Sequence, residues 1–232
     1  MRYFFLAVIF ALTSIGCSKN SSIIKEQNPK LVNMIDSVRN IIQKNTFSQH
    51  HGYVDTIEMN YALAMLDTII KNDEGKSLYY NCYQNKSQIY IHLGMYDKSL
   101  VEMENAINLL AEDNIDRIAF YAIKYHYENN TDSAHFYYDK CMSECNDKLH
   151  NEFNENYIIY KAQLLYVFYS QTKAITFLEG VKRENSNDTE IVKTINTIEN
   201  DIPKFKEYMM IWEKGKNKML STKKYWKHKM YS

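Results

Sequence analysis

A spacing of small and bulky side chains recurs four times along the chain and predicts helices that pack in pairs. Each copy has a small residue, a bulky residue four positions later, and a small or apolar residue three positions after that. The leading small residues are Ala62, Ser99, Ala134 and Ala174. Positions four and seven apart lie on one helix face, and two helices cross closely only where their side chains are small. A pattern that returns at intervals of 35 to 40 residues indicates a repeat architecture.

The best-defined copy spans Tyr80–Asp113, which is 34 residues long. It contains a turn of the form G-x-Y-D at Gly94–Asp97, and the helix predicted after it carries Met103 between the small residues Ser99 and Ala106. The turn, the spacing and the length of this segment resemble those of the tetratricopeptide repeat (TPR) family. The resemblance implies an all-α fold: a right-handed α-solenoid of about four helix-turn-helix repeats within residues 29–203, with a C-terminal capping helix. Members of this family bind other proteins far more often than they catalyse reactions.

Apolar residues at helical spacing predict about ten helices and no sheet. The chain has only 6 Gly and 2 Pro, which is few for a sheet protein with many tight turns. The stripe from Val192 to Ile202 predicts the capping helix, which we expect to end at Pro203. Lys204–Trp212 is predicted to form a further helix. The longest loop is predicted at Thr46–Thr56, which contains His50-His51-Gly52.

The first residues have the pattern of a secretory signal. Arg2 precedes the apolar run Tyr3–Leu12, which is too short to span a bilayer of about 20 helical residues. Gly16 directly before Cys17 resembles the lipobox of bacterial lipoproteins. The resemblance implies a signal peptide over residues 1–16 and a polar tether over residues 17–28. It also implies that Cys17 carries acyl chains such as palmitate, which anchor the protein to a membrane. We therefore expect attachment in a Gram-negative envelope, at the outer membrane and on its periplasmic side. An ordinary signal peptide with an unrelated cysteine is the alternative.

Charge is unevenly distributed in a chain that is neutral as a whole. Residues 204–232, a predicted basic helix and tail, hold nine Lys and two Glu, a net of +7. The residues from Cys17 to Pro203 have a net charge of −8. The basic end could contact anionic lipid or an acidic partner, or it could be a solvated helix end. An exported chain with an acidic main part is a poor fit to a nucleic-acid-binding protein, and no nucleic-acid partner is expected.

No residue pattern in the chain predicts catalysis, a cofactor or a metal ion. Cys141 and Cys145 lie on one helical face, but no second Cys or His pair follows at zinc-site spacing. The sequence leaves open whether these two thiols are oxidised. His50-His51 is not part of a metalloprotease motif, and the chain has neither a G-x-S-x-G motif nor a glycine-rich phosphate loop. We expect a protein that is not an enzyme.

The TPR resemblance also implies a ligand groove lined by the first helix of each repeat, at repeat positions two, five, nine and twelve. The expected groove residues are Gln84, Gln88, Ile91, Ala119, Ile123, His126, Ile159, Gln163 and Tyr166. None is Lys or Arg, which departs from members that clamp a peptide carboxylate. A ligand would therefore be held by amide and apolar side chains, as a helix or an extended segment is held in a groove.

These observations predict a lipid-anchored envelope adaptor that binds a protein or peptide partner through a TPR groove. Two alternatives belong to other classes. Exposed Tyr and Trp rings could stack on sugars in a glycan- or nutrient-capture lipoprotein, and an immunity-type lipoprotein would mask one toxin. The chain does not identify the partner.

Overall fold

The computed structural model describes residues 28–49, 54–206 and 209–215. The described residues are helical and contain no strand, which confirms that the fold is all-α. The elements are α1 (Pro29–Gln49), α2 (Thr56–Asn72), α3 (Tyr79–His92), α4 (Tyr96–Ile107), α5 (Ile115–Tyr127), α6 (Thr131–Asn151), α7 (Glu155–Phe168), α8 (Gln171–Glu184), α9 (Thr189–Asp201) and the 3-10 helix (Ile202–Lys204).

The chain divides into two compact units. The α1–α4 unit consists of these four helices and residues 211–215. The α5–α9 unit consists of the other five helices, the 3-10 helix and the described residues up to Met210. The predictions for residues 1–27, which include the signal peptide, Cys17 and most of the tether, lie outside the described residues, as do His50-His51-Gly52 and residues 216–232.

The α1–α4 unit contains two antiparallel helix pairs, α1 with α2 and α3 with α4. Gly94 has φ +68 between α3 and α4, a left-handed conformation that glycine adopts without strain, so the G-x-Y-D segment forms the predicted turn. Ser87 on α3 and Ser99 on α4 are both fully buried, and their hydroxyl oxygens are 2.8 Å apart in a hydrogen bond. The predicted small position at Ser99 is therefore a point where the two helices touch.

The core of this unit is the apolar stripe of α1 packed against α2 and α3. Its buried members are Leu31, Ile35, Val38, Ile42, Met59, Ala62, Leu66, Ile69, Leu78, Cys82 and Ile89. Helix α2 begins at a capping residue, Asp55, whose carboxylate accepts hydrogen bonds from the backbone N–H groups of Ile57 and Glu58. Residues 211–215 pack on α4, where the Lys214 Nζ lies 5.3 Å from the centre of the Tyr96 ring.

A charged cluster joins three helices of the same unit. The Lys86 Nζ on α3 is 3.0 Å from the Asp67 carboxylate on α2 and 3.0 Å from the Glu102 carboxylate on α4. Burial alone would lower the pKa of Lys86, but the hydrogen bonds and charges of the two carboxylates outweigh it, and the pKa is raised. The cluster holds a cation in a site from which most water is excluded.

The α5–α9 unit repeats the paired arrangement, with α5 against α6, α7 against α8, and α9 against α8. Helices α6 to α9 each begin with a polar capping residue, whose side chain accepts a hydrogen bond from a backbone N–H of the first turn. These residues are Asn130, Asn154, Ser170 and Asp188. The core combines α7, α8 and α9 with the segment after them: Ile158, Ile159, Ala162, Ala174, Leu178, Ile195, Ile198, Ile202 and Phe205.

One sequence expectation needs correction. Helix α1 continues to Gln49, so the loop predicted from Thr46 begins later. The reason is that the Thr46 hydroxyl donates to the Ile42 carbonyl at 2.8 Å and lies 3.0 Å from the His92 Nε2, which keeps this turn in the helix. The capping helix does end near Pro203, as predicted: α9 stops at Asp201, and Pro203 lies in the first turn of the 3-10 helix, where its missing N–H is not needed. Residues 205–206 and 209–215 are helical, in the region where a further helix was predicted.

Candidate functional site

The three groove positions of the α1–α4 unit lie on α3. Gln84 is buried, whereas Gln88 and Ile91 are half-buried and keep part of their surface exposed. The neighbouring position, Asn81, accepts a hydrogen bond from the Arg39 guanidinium of α1 at 3.3 Å. In this unit, the groove positions with accessible surface are therefore Gln88 and Ile91. Gln88 offers an amide group and Ile91 an apolar side chain.

In the α5–α9 unit, four of the six groove positions are buried. Ala119 and Ile123 on α5 are 6% and 5% exposed, and Ile159 and Gln163 on α7 are both 7% exposed. Helices α5 and α7 pack against each other in this unit. These four side chains therefore form part of the helix packing, and only His126 and Tyr166 keep a substantial exposed fraction.

The segment after α9 covers part of the α7 surface. Ile159 belongs to the same core cluster as Ile202 and Phe205, and the edge of the Phe205 ring faces Tyr166 with 5.8 Å between ring centres. Sequence periodicity predicted a capping helix and a helix after it, but it did not indicate that Phe205 lies on Tyr166. The accessible part of the α7 surface is smaller than the groove expected from the sequence.

His126 lies at the end of α5 in an aromatic cluster. Its ring centre is 4.9 Å from that of Phe168 on α7, and Phe168 is also 4.6 Å from the buried Tyr138 ring on α6. The half-buried rings of Tyr121, Tyr125 and Tyr137 form a second group on α5 and α6, with centres 5.5 to 5.7 Å apart. Much of the tyrosine content thus stabilises helix contacts within the unit.

A carboxyl–phenol pair links the two first helices of this unit. The Tyr160 hydroxyl of α7 donates a hydrogen bond to the Asp116 carboxylate of α5. Burial raises the pKa of Asp116 to about 7, because the site disfavours the charged carboxylate. A carboxyl group that titrates near neutrality makes the contact between α5 and α7 sensitive to pH.

The cysteines of the described residues have the properties of core side chains. Cys141 and Cys145 are free thiols with no exposed surface, and the hydrogen bond between the Cys141 thiol and Cys145, together with burial, raises the pKa of Cys141. Burial also raises the pKa of Cys82 to about 12. Such thiols are poor nucleophiles, and within the described ranges no group of three or more His, Cys, Asp or Glu side chains could hold a metal ion.

The sequence did not reveal a cavity of about 600 Å³ between α6, α7 and α8. Its floor includes Ile158, Phe177 and Val181, and the half-buried Lys161 reaches into it. The Lys161 Nζ donates to the Asn146 carboxamide oxygen at 2.6 Å and lies 4.7 Å from the centre of the Phe177 ring. Burial lowers the pKa of Lys161. The feature of the sequence that could have indicated this cavity is Lys161, a charged residue among the apolar residues of α7.

Comparison with protein-family models, with curated proteins and with solved structures found no match to this chain. None of the helices in the described part of the chain is both long enough and apolar enough to span a bilayer.

Proposed function

We propose that this protein is a lipid-anchored, non-catalytic adaptor of a bacterial envelope, which binds a protein or peptide partner through TPR-like helix pairs. Within each unit a partner would lie against first-helix side chains, Gln88 and Ile91 in the α1–α4 unit and His126 in the α5–α9 unit. These are amide, apolar and imidazole groups with partly exposed surface. They suit reversible contact with a helix or an extended segment.

One observation carries the TPR-like assignment: three helix pairs have small buried residues at the same places, 12 positions apart. The pairs are Ser87 with Ser99, Ala122 with Ala134, and Ala162 with Ala174, and every one of these residues is at most 2% exposed. In each pair one residue is on the first helix and the other on the second. The same phase in three successive helix pairs supports a repeat, and repeats of this kind are binding scaffolds.

The membrane anchor is proposed from the sequence. Cys17 after Gly16, together with the basic and apolar residues before them, supports lipidation. We propose the outer membrane and its periplasmic side as the location. The anchor is tested by Cys17→Ala with metabolic labelling by a fatty acid. Loss of label and release from the membrane fraction are expected, whereas a labelled, membrane-bound variant would refute the anchor.

Partner binding is tested by affinity capture from detergent-solubilised envelope, with three baits. The wild-type chain should recover a defined protein, and Gln88→Arg should lose it because a charge enters an amide position of the proposed groove. Val101→Arg is the matched control, since Val101 is 45% exposed on α4 of the same unit and is not a groove position. Equal recovery by all three baits, or no recovery by the wild type across growth conditions, would contradict the proposal.

A further inference from the structure

The cavity between α6, α7 and α8 is lined by both apolar and polar side chains. The apolar part includes Ile158, Leu149, Phe177 and Val181, and the polar part includes the exposed residues Asn146 and Glu184. A volume of about 600 Å³ is within the range of about 300–1,000 Å³ that is usual for sites of drug-sized ligands. All lining residues belong to the α5–α9 unit, and none is a predicted groove residue.

The electrostatic feature of this cavity is a lysine whose contacts are all neutral. The Lys161 ammonium contacts the Asn146 oxygen and the Phe177 ring. Among the described residues no carboxylate oxygen lies within 4.0 Å of it. Glu184, an acidic lining residue, is exposed at the rim, and its charge acts on Lys161 from beyond ion-pair distance. A half-buried cation with no anion in direct contact attracts one more strongly than a fully hydrated cation does.

A glycine lines the cavity. Gly180 lies in the interior of α8, and a Cβ built on it would meet no atom within 4 Å. Glycine in the interior of a helix is destabilising relative to alanine by about 0.5–1 kcal/mol. Packing therefore does not require glycine at this position, and a larger side chain here would take up part of the cavity.

We propose that this cavity binds a small carboxylate with an apolar body. The carboxylate would accept hydrogen bonds from the Lys161 ammonium and from the amide N–H group of Asn146, which donates to no other described residue. The apolar body would lie over Phe177 and toward Phe153, which is 37% exposed at the rim. The inference does not depend on the proposed adaptor function, because no residue that lines the cavity is a predicted groove residue.

The test is isothermal titration calorimetry of the full-length chain with two acids that share this chemistry. The probes are 4-phenylbutyrate, a free acid, and N-acetyl-Leu-Phe, which has the carboxylate of a peptide C-terminus. Each is paired with its neutral primary amide. Binding of at least one acid with a Kd of about 1 mM or lower is expected, together with binding of its amide that is weaker by about ten-fold or more. Tighter binding of 4-phenylbutyrate would identify the ligand as a free acid, and tighter binding of N-acetyl-Leu-Phe would identify it as a peptide C-terminus.

Two variants probe the site in different ways. Lys161→Met keeps the apolar stem and removes the charge, and it should weaken acid binding by about ten- to hundred-fold. Gly180→Leu adds a side chain at a position where a Cβ meets no atom within 4 Å, so it should leave the melting temperature unchanged or raise it, and it should weaken acid binding by about ten-fold because the side chain takes up part of the cavity. Glu184→Gln, the control, should bind the acids at least as tightly as the wild type.

The proposal is overturned if neither acid binds up to about 10 mM, or if acid and amide bind equally. It is also overturned if Gly180→Leu keeps wild-type affinity, or if a folded Lys161→Met does. Should Lys161→Met fail to fold, Gly180→Leu and the acid–amide comparison still decide the outcome. Loss of acid binding in Glu184→Gln would contradict the assignment of the carboxylate to the Lys161 end of the cavity.

Discussion

Replacing Lys86 by methionine should destabilise the α1–α4 unit by about 3 kcal/mol. The substitution keeps an unbranched apolar side chain of similar length and removes the cation between two carboxylates. The Glu102 side chain is only 12% exposed, and an unpaired buried charge typically costs about 3–5 kcal/mol. Asp67 is 66% exposed, so its ion pair adds at most about 1 kcal/mol. Because Glu102 keeps some contact with water, we expect the lower end of this range.

The double variant Lys86→Met with Glu102→Leu separates charge from packing. It removes both buried charges, and it should recover to within about 1 kcal/mol of the wild type. The measurement is urea unfolding followed by far-UV circular dichroism, with midpoints compared at a constant slope. If the double variant is destabilised by the sum of the two single variants, Lys86 and Glu102 do not interact, and the reasoning fails.

Two further predictions concern the α5–α9 unit and the α3–α4 crossing. The folded pKa of Asp116, about 7, lies above the ordinary value near 4, so the wild type should lose stability as pH rises from about 4 to 7. Asp116→Asn can still accept a hydrogen bond from Tyr160, and at pH 8 it should be more stable than the wild type by on the order of 2 kcal/mol. This is about half of the free energy that the full pKa shift would give, because the site is partly exposed. Near pH 4 the variant should show no such gain. Denaturation at both pH values checks this, and a difference that does not change with pH would contradict it. Ser99→Leu should destabilise the protein by about 2–4 kcal/mol, since it overfills the crossing and leaves the Ser87 hydroxyl without its partner. Thermal melting checks it, and an unchanged melting temperature would show that the crossing is not close.

The helices were predictable because their signals are local. The small positions Ser99, Ala134 and Ala174 are buried as expected, and the Gly94 turn has the positive φ that its sequence indicated. These features depend on side-chain size and on backbone freedom, both of which can be read from neighbouring residues. The loop predicted at Thr46 failed because a long-range contact to His92 decides the conformation there.

The candidate site was less predictable because exposure depends on what packs over a helix. Repeat phase assigns Ile159 and Gln163 to a groove, yet both are buried, and Tyr166 contacts Phe205 from a later segment. The cavity at Lys161 was missed for a similar reason. No local pattern indicates that Gly180 and a lysine of a different helix line one cavity.

The central claim is that first-helix residues contact a partner protein in the envelope. The most direct measurement is photo-crosslinking in intact cells, with a benzophenone amino acid placed at Gln88, at His126 or at the control position Val101. The account predicts that Gln88 and His126 each crosslink to a defined protein, and that Val101 does not. Crosslinking from Val101 alone, or no protein adduct from either groove position in cells that contain the folded variant, would contradict it.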